Sequence, residues 1–123
     1  MMFHLALSDE WHEALARGGP YERSTIGRSL AEQGFIHCSF EHQVAATAER
    51  FYAGRDDVLL LCIDEQRLEH EVRSEDLEGG GETFPHLYGP LPVDAVVEVR
   101  PWSPGVRPPE GTRRSRRGPS DGA

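Results

Sequence analysis

Apolar and polar residues follow one another along this chain with a period that switches several times. Phe3 to Leu5 reads as a first strand. Ser8 is a predicted N-cap, and Asp9 and Glu10 follow it in the first turn, where negative charge is favourable. Trp11, Ala14 and Leu15 then recur at helical spacing, and Gly18 ends that helix. Ser29 to Gln33 reads as a short helix closed by Gly34, and Phe35 to Cys38 as a second strand. Ser39 is predicted to cap a longer helix over Glu41 to Ala53, with Val44, Ala48, Phe51 and Tyr52 as its apolar stripe and Gly54 as its stop. The unbroken apolar run Val58 to Ile63 predicts a strand buried on both faces. Asp64 to Arg67 reads as a turn or a single helical turn, Glu71 to Arg73 as a short edge strand, and Ser74 to Thr83 as an acidic, glycine-rich loop. Phe84 to Tyr88 and Val96 to Val99 complete the set of strands. Two strand–helix pairs followed mostly by strands predict an α+β fold rather than a regular βαβ repeat.

The pattern stops at Trp102. Residues 103–123 are almost free of apolar side chains and rich in Pro, Gly, Ser and Arg, so burial cannot offset their ordering entropy. We therefore expect a single α+β domain over residues 1–102 and a disordered basic tail over 103–123. Charge divides at the same point. The body holds eight arginines against nineteen acids, and the tail holds five arginines against Glu110 and Asp121. An acidic body disfavours nucleic acid as its partner, while the tail offers a basic contact for RNA, DNA or an acidic protein. No apolar run approaches the ~20 residues that span a bilayer, and the N-terminus lacks the basic and apolar regions of a signal peptide. A cytoplasmic protein is expected. Cys38 and Cys62 both sit in apolar runs and read as reduced core thiols.

The candidate chemistry lies in histidines placed within predicted strands. Alternation sets His4 opposite Phe3 and Leu5, and His37 opposite Ile36 and Cys38 but on the side of Ser39. His86 shares a face with Tyr88 inside Phe84-Pro85-His86-Leu87-Tyr88-Gly89-Pro90-Leu91, where the prolines stiffen the backbone. Neighbouring strands would gather these groups in one cleft. A strand histidine on its own is more often a residue satisfied by backbone; three together with a tyrosine and a serine define a site hypothesis. The spacings are not those of a metal cage, and Gly79-Gly80-Gly81 reads as a flexible linker rather than a phosphate loop. Glu71 and Glu75 are both within reach of such a cleft, and spacing selects neither.

The blocks Gly34-Phe35-Ile36-His37-Cys38-Ser39 and Phe84 to Leu91, with Phe3-His4, Trp11, Tyr21, Phe51-Tyr52 and Leu60 to Asp64, resemble the bacterial family called domain of unknown function 952 over about residues 2–100. That resemblance implies an ADP-ribosyltransferase-like fold: two small, mostly antiparallel sheets around a cleft with flanking helices. It is similar in layout to the RNA 2′-phosphotransferases, where NAD sits between the sheets beside histidines from an early and a later strand. By that likeness His4 and Ser39 are expected to bind NAD or an ADP-ribose-type ligand; His37, together with His86 and Tyr88, which the late motif offers instead of the family's residue, is expected to carry catalysis. The late strand lacks the glutamate of ADP-ribosyltransferases, and Arg28 and Arg73 are the only nearby phosphate candidates. The expectation is thus a nucleotide-binding transferase. The alternatives are a cleft that binds a small molecule or nucleotide without turnover, and an interaction protein that docks through its basic tail.

Overall fold

A computed structural model describes residues 1–104. The segment that carries the predicted basic tail, from residue 105 onward, lies outside the described residues. Among the described residues six strands form two antiparallel sheets of three. The first contains β1 (Met2–Leu7), β3 (Val58–Ile63) and β6 (Val96–Pro101), with β3 in the centre. The second contains β2 (Ile36–His37), β5 (Phe84–Leu87) and β4 (Val72–Glu75), with β5 in the centre. The helices are α1 (Ser8–Ala16), α2 (Leu30–Gln33) and α3 (Val44–Tyr52).

β1 and the central β3 are covered on both sides, which is why β3 reads as a continuous apolar run, while the edge strand β6 alternates and leaves Val97 and Val99 exposed. Met2, Ala6, Leu61 and Ile63 pack with Trp11 and Ala14 of α1 and with Ile36 and Leu87 of the second sheet. Phe3, Leu5, Leu60 and Cys62 pack on the other side with Val44, Ala48 and Tyr52 of α3 and with Trp102. The second sheet is two-sided instead. Ile36 and Leu87 pair with each other and point into the core, while the next pair, His37 and His86, faces outward from it. The sheets are joined where Phe3 and Ser39 exchange both backbone hydrogen bonds, at 2.9 and 2.7 Å.

Several local expectations change. Ser8 is the first residue of α1 and not its cap, because its amide is drawn to the Asp57 carbonyl and Leu7 takes the cap position. Leu15 is exposed, so the buried face of α1 is Trp11 and Ala14. Ser39 caps nothing: its backbone is bridged to Phe3 and its hydroxyl donates to Thr47. The predicted helix over 41–53 splits into a 3₁₀ turn, Glu41–Gln43, and then α3. The second strand is shorter than predicted, the edge strand is Val72–Glu75 rather than 71–73, and the last strand extends to Pro101. The triglycine is not a free linker, since the Asp76 carboxylate accepts from the amides of Gly80 and Gly81. By contrast, Ser29 caps α2 with a reciprocal box to Glu32, and Gly34 ends it at φ +92°.

Gly89 is required by packing. A Cβ there would come within 2.6 Å of the His70 Cβ. Gly89→Ala is therefore expected to cost about 1–3 kcal/mol through displaced backbone. A thermal melt with an unchanged midpoint would show that this contact is not constraining.

Candidate functional site

A cleft of about 400 Å³ opens over the outer face of the second sheet. Its floor is His37, Phe84 and His86, one wall is Arg50 and Phe51 of α3, and the rim is formed by Glu75 and the loop through Glu82. Strand alternation explains the floor. Glu75 is the register partner of Phe84, and His37 that of His86, so these side chains rise from one face of three adjacent strands. The cleft thus lies between the second sheet and α3, rather than between the two sheets as expected, because the space between the sheets is filled by core.

His37 Nδ1 lies 3.3 Å from His86 Nε2. His86 Nδ1 lies 3.0 Å from Glu75 Oε1, and the Tyr88 hydroxyl donates to the same oxygen at 2.6 Å. Phe35 stacks on the His86 ring with centroids 4.2 Å apart, and Phe84 flanks His37 at 5.1 Å. The donated bonds from Tyr88 and then His86 hold the Glu75 carboxyl below the usual range, and the carboxylate raises the Tyr88 phenol in return. Burial, with smaller contributions from His86 and His4, lowers His37 to about 4. Its backbone is held as well: Ser24 Oγ accepts from the His37 amide at 3.0 Å, and the His37 carbonyl accepts from His4 Nδ1 at 2.7 Å.

The predicted site residues therefore divide. His37 and His86 are brought together on the floor. Tyr88 stands behind Glu75 and is not itself among the cleft lining. His4 and Ser39 do not line the cleft; each is only 3% exposed. His4 faces inward with Met2 and Ala6, and its Nε2 accepts from the Tyr21 hydroxyl at 2.9 Å. A carbonyl can only accept, so the bond to His37 fixes the proton of neutral His4 on Nδ1. Burial lowers His4 to about 4. With His37, Ser24 and Thr47, both residues border a second void of about 10 Å³, too small for a ribose.

Sequence reasoning did not single out Glu75, Arg50, Phe35 or Tyr21 for these positions. The signal for Glu75 lay in β4: once that strand is taken to run on to Glu75, its pairing with Phe84 puts Glu75 on the histidine face. Arg28 and Arg73 are not at the cleft: Arg28 bonds Gln33, and Arg73 pairs with Glu71 while lying 4.5 Å over the Tyr88 ring. Cys38 and Cys62 are buried free thiols, both pushed up by desolvation, and they belong to separate core clusters. Among the described residues no cluster of three or more His, Cys, Asp or Glu side chains is placed to hold a metal ion, and no helix is long and apolar enough to cross a membrane.

Taken together these features define an α+β protein with two small antiparallel sheets and a histidine-floored cleft. Residues 5–99 match the family described as "Protein of unknown function (DUF952)", and the chain belongs to that family. It is similar to protein CC0527 from Caulobacter crescentus. Against the crystal structure of that protein the identity is 29% and the TM-score 0.70, covering 87% of this chain and 92% of the other. Against its solution NMR structure the values are 28% and 0.65, covering 93% and 96%. No curated protein matches the chain.

Proposed function

We propose that the cleft takes NAD or an ADP-ribose-type nucleotide, on an ADP-ribosyltransferase-like architecture, and that His37 and His86 move protons during transfer. The observation that carries this reading is the imidazole pair on the floor of a cleft walled by Phe35, Phe51 and Phe84. Aromatic walls suit a planar base, and an imidazole held neutral by burial is free to accept a proton at neutral pH provided the charge can be passed on. The volume is at the low end of the ~300–1,000 Å³ usual for small-molecule sites, so it suits a nucleoside-sized part of such a ligand. In this reading His4 and Ser39 support His37 from behind rather than touch the ribose. Carboxylates at the rim would favour the positive charge that develops when a glycosidic bond to nicotinamide breaks.

One observation favours a second reading, binding without turnover. Among the described residues Arg50 is the only arginine in the cleft lining, and it is already paired with Glu78 at 2.7 Å. Glu75, Asp76, Glu78 and Glu82 oppose a pyrophosphate there, so the phosphates would project to solvent. The interaction role of the basic tail rests on residues outside those described; truncation after Trp102 tests it by leaving cleft binding unchanged.

At a hundredfold excess over its Kd, NAD or ADP-ribose is expected to stabilise the protein by about 2.7 kcal/mol, read as a thermal shift. His37→Ala and His86→Ala should each lose most of that shift while remaining folded. A flat response to NAD, ADP-ribose and mononucleotides would defeat the nucleotide reading. A shift without nicotinamide release would select binding over transfer.

A further inference from the structure

We infer that Glu75, His86 and His37 form a directional proton relay, in which Glu75 is the positioning residue and His37 Nε2 is the atom that takes a proton from a water-sized O–H donor. The inference deepens the proposed function and rests on the cleft being a reaction site.

The polarity of the chain follows from what each atom can do. An ionised carboxylate only accepts, so both the Tyr88 hydroxyl and His86 Nδ1 must donate to Glu75. With its proton on Nδ1, neutral His86 has a bare Nε2. The 3.3 Å contact then needs a donor from the other side, which places the proton of neutral His37 on Nδ1. His37 Nε2 is left as a lone pair. That atom is shut off from solvent and has no partner in the protein, the only such buried side-chain atom among the described residues. His37 also borders the void of about 10 Å³ lined by Ser24, Ser39 and Thr47. That volume is at the lower edge of the ~10–15 Å³ that one water molecule needs, and its walls carry hydroxyl groups that can orient an O–H donor.

The arrangement resolves a conflict between geometry and burial. A desolvated imidazole is a weak base if it must keep the charge it gains. Here it need not. When X–O–H gives its proton to His37 Nε2, the Nδ1 proton passes to His86 Nε2, and X–O⁻ is left against Nε2. The positive charge then resides on His86, 3.0 Å from the Glu75 carboxylate, rather than on His37. One proton enters at one end, one shifts in the middle, and none is lost. The charged and titratable groups facing His37 are His86 from β5, His4 from β1, Glu78 from the cleft loop and Arg50 from α3. Arg50 and Glu78 offset each other, so the carboxylate that decides where the charge settles is Glu75.

Long-range ¹⁵N–¹H NMR of the ligand-free, full-length wild type tests this without any substrate. At neutral pH His37 should show a protonated Nδ1 and a bare Nε2, and His86 a protonated Nδ1. A protonated His37 Nε2 at neutral pH would overturn the relay. In Glu75→Gln, whose amide can donate as well as accept, His86 should no longer hold its proton on Nδ1 alone and both of its tautomers should appear. Tyr88→Phe, which keeps the carboxylate, should preserve the wild-type tautomers. Unchanged tautomers in folded Glu75→Gln would remove the positioning role; if that variant does not fold, the wild-type spectrum decides. A relay seen in the spectrum together with no nucleotide shift would keep the base and replace the ligand class.

Discussion

Acidification from neutral pH to about 4 is expected to remove a large part of the folding free energy. His4 and His37 are each lowered from 6.5 to about 4, mainly by desolvation. The folded protein therefore holds both rings neutral over a range where the unfolded chain has already bound protons. The sign follows: the stabilisation is fully present above the unfolded value of 6.5 and is lost as pH falls toward the folded value of about 4. A displacement of this size is worth roughly 3 kcal/mol per histidine, so the two reach on the order of 6 kcal/mol, against a total of ~5–15 kcal/mol for a typical domain. Urea denaturation across that window measures the slope. His4→Asn should flatten it by about half or slightly more, because it removes one of the two buried rings and also the smaller His4 contribution that lowers His37. A wild-type midpoint that stays level between neutral pH and 5 would show that the unfolded chain does not discriminate as argued.

Leu87→Ala is expected to cost about 2–5 kcal/mol, the range for truncating a fully buried leucine. Leu87 has no exposed surface and pairs with Ile36, which has none either. That pair sits one residue away from the His37–His86 pair, so it anchors β2, a strand of only two residues, onto β5. The loss should thus be accompanied by a disturbed imidazole contact, visible as shifted His37 and His86 ring resonances in the protein that remains folded. A urea midpoint lowered by less than the equivalent of ~1 kcal/mol would mean that the site has room to collapse around the truncation.

Much of the fold is legible in the chain because local chemistry agrees with the final packing. The run Val58 to Ile63 announces a central strand, and Ser29, Glu32 and Gly34 mark both ends of α2. The failures share a physical cause. Ser39 and Ser8 have the composition of helix caps, yet tertiary partners, Phe3 and Asp57, claim their backbones first. Leu15 has helical spacing but no neighbour to bury it. In the site, alternation correctly separates His37 from Ile36 and His86 from Leu87. It cannot say that β2 and β5 are partners while β1 belongs to the other sheet, so His4 is grouped with the cleft when it is in fact turned to Tyr21. Glu75 is hidden for a different reason: six acids between 69 and 82 look alike until a register with Phe84 picks one.

The Gln43 amide donates to the Glu82 carboxylate and to the Thr83 carbonyl, while its oxygen accepts from the Phe40 amide. That single side chain clamps the far foot of the acidic segment to the head of α3, and β4 fixes the near foot at Glu75. The segment between has two tethered ends and an internal tie from Asp76 to the Gly80 and Gly81 amides. Any give in that rim must therefore come from between its anchors and not from a shift of its ends.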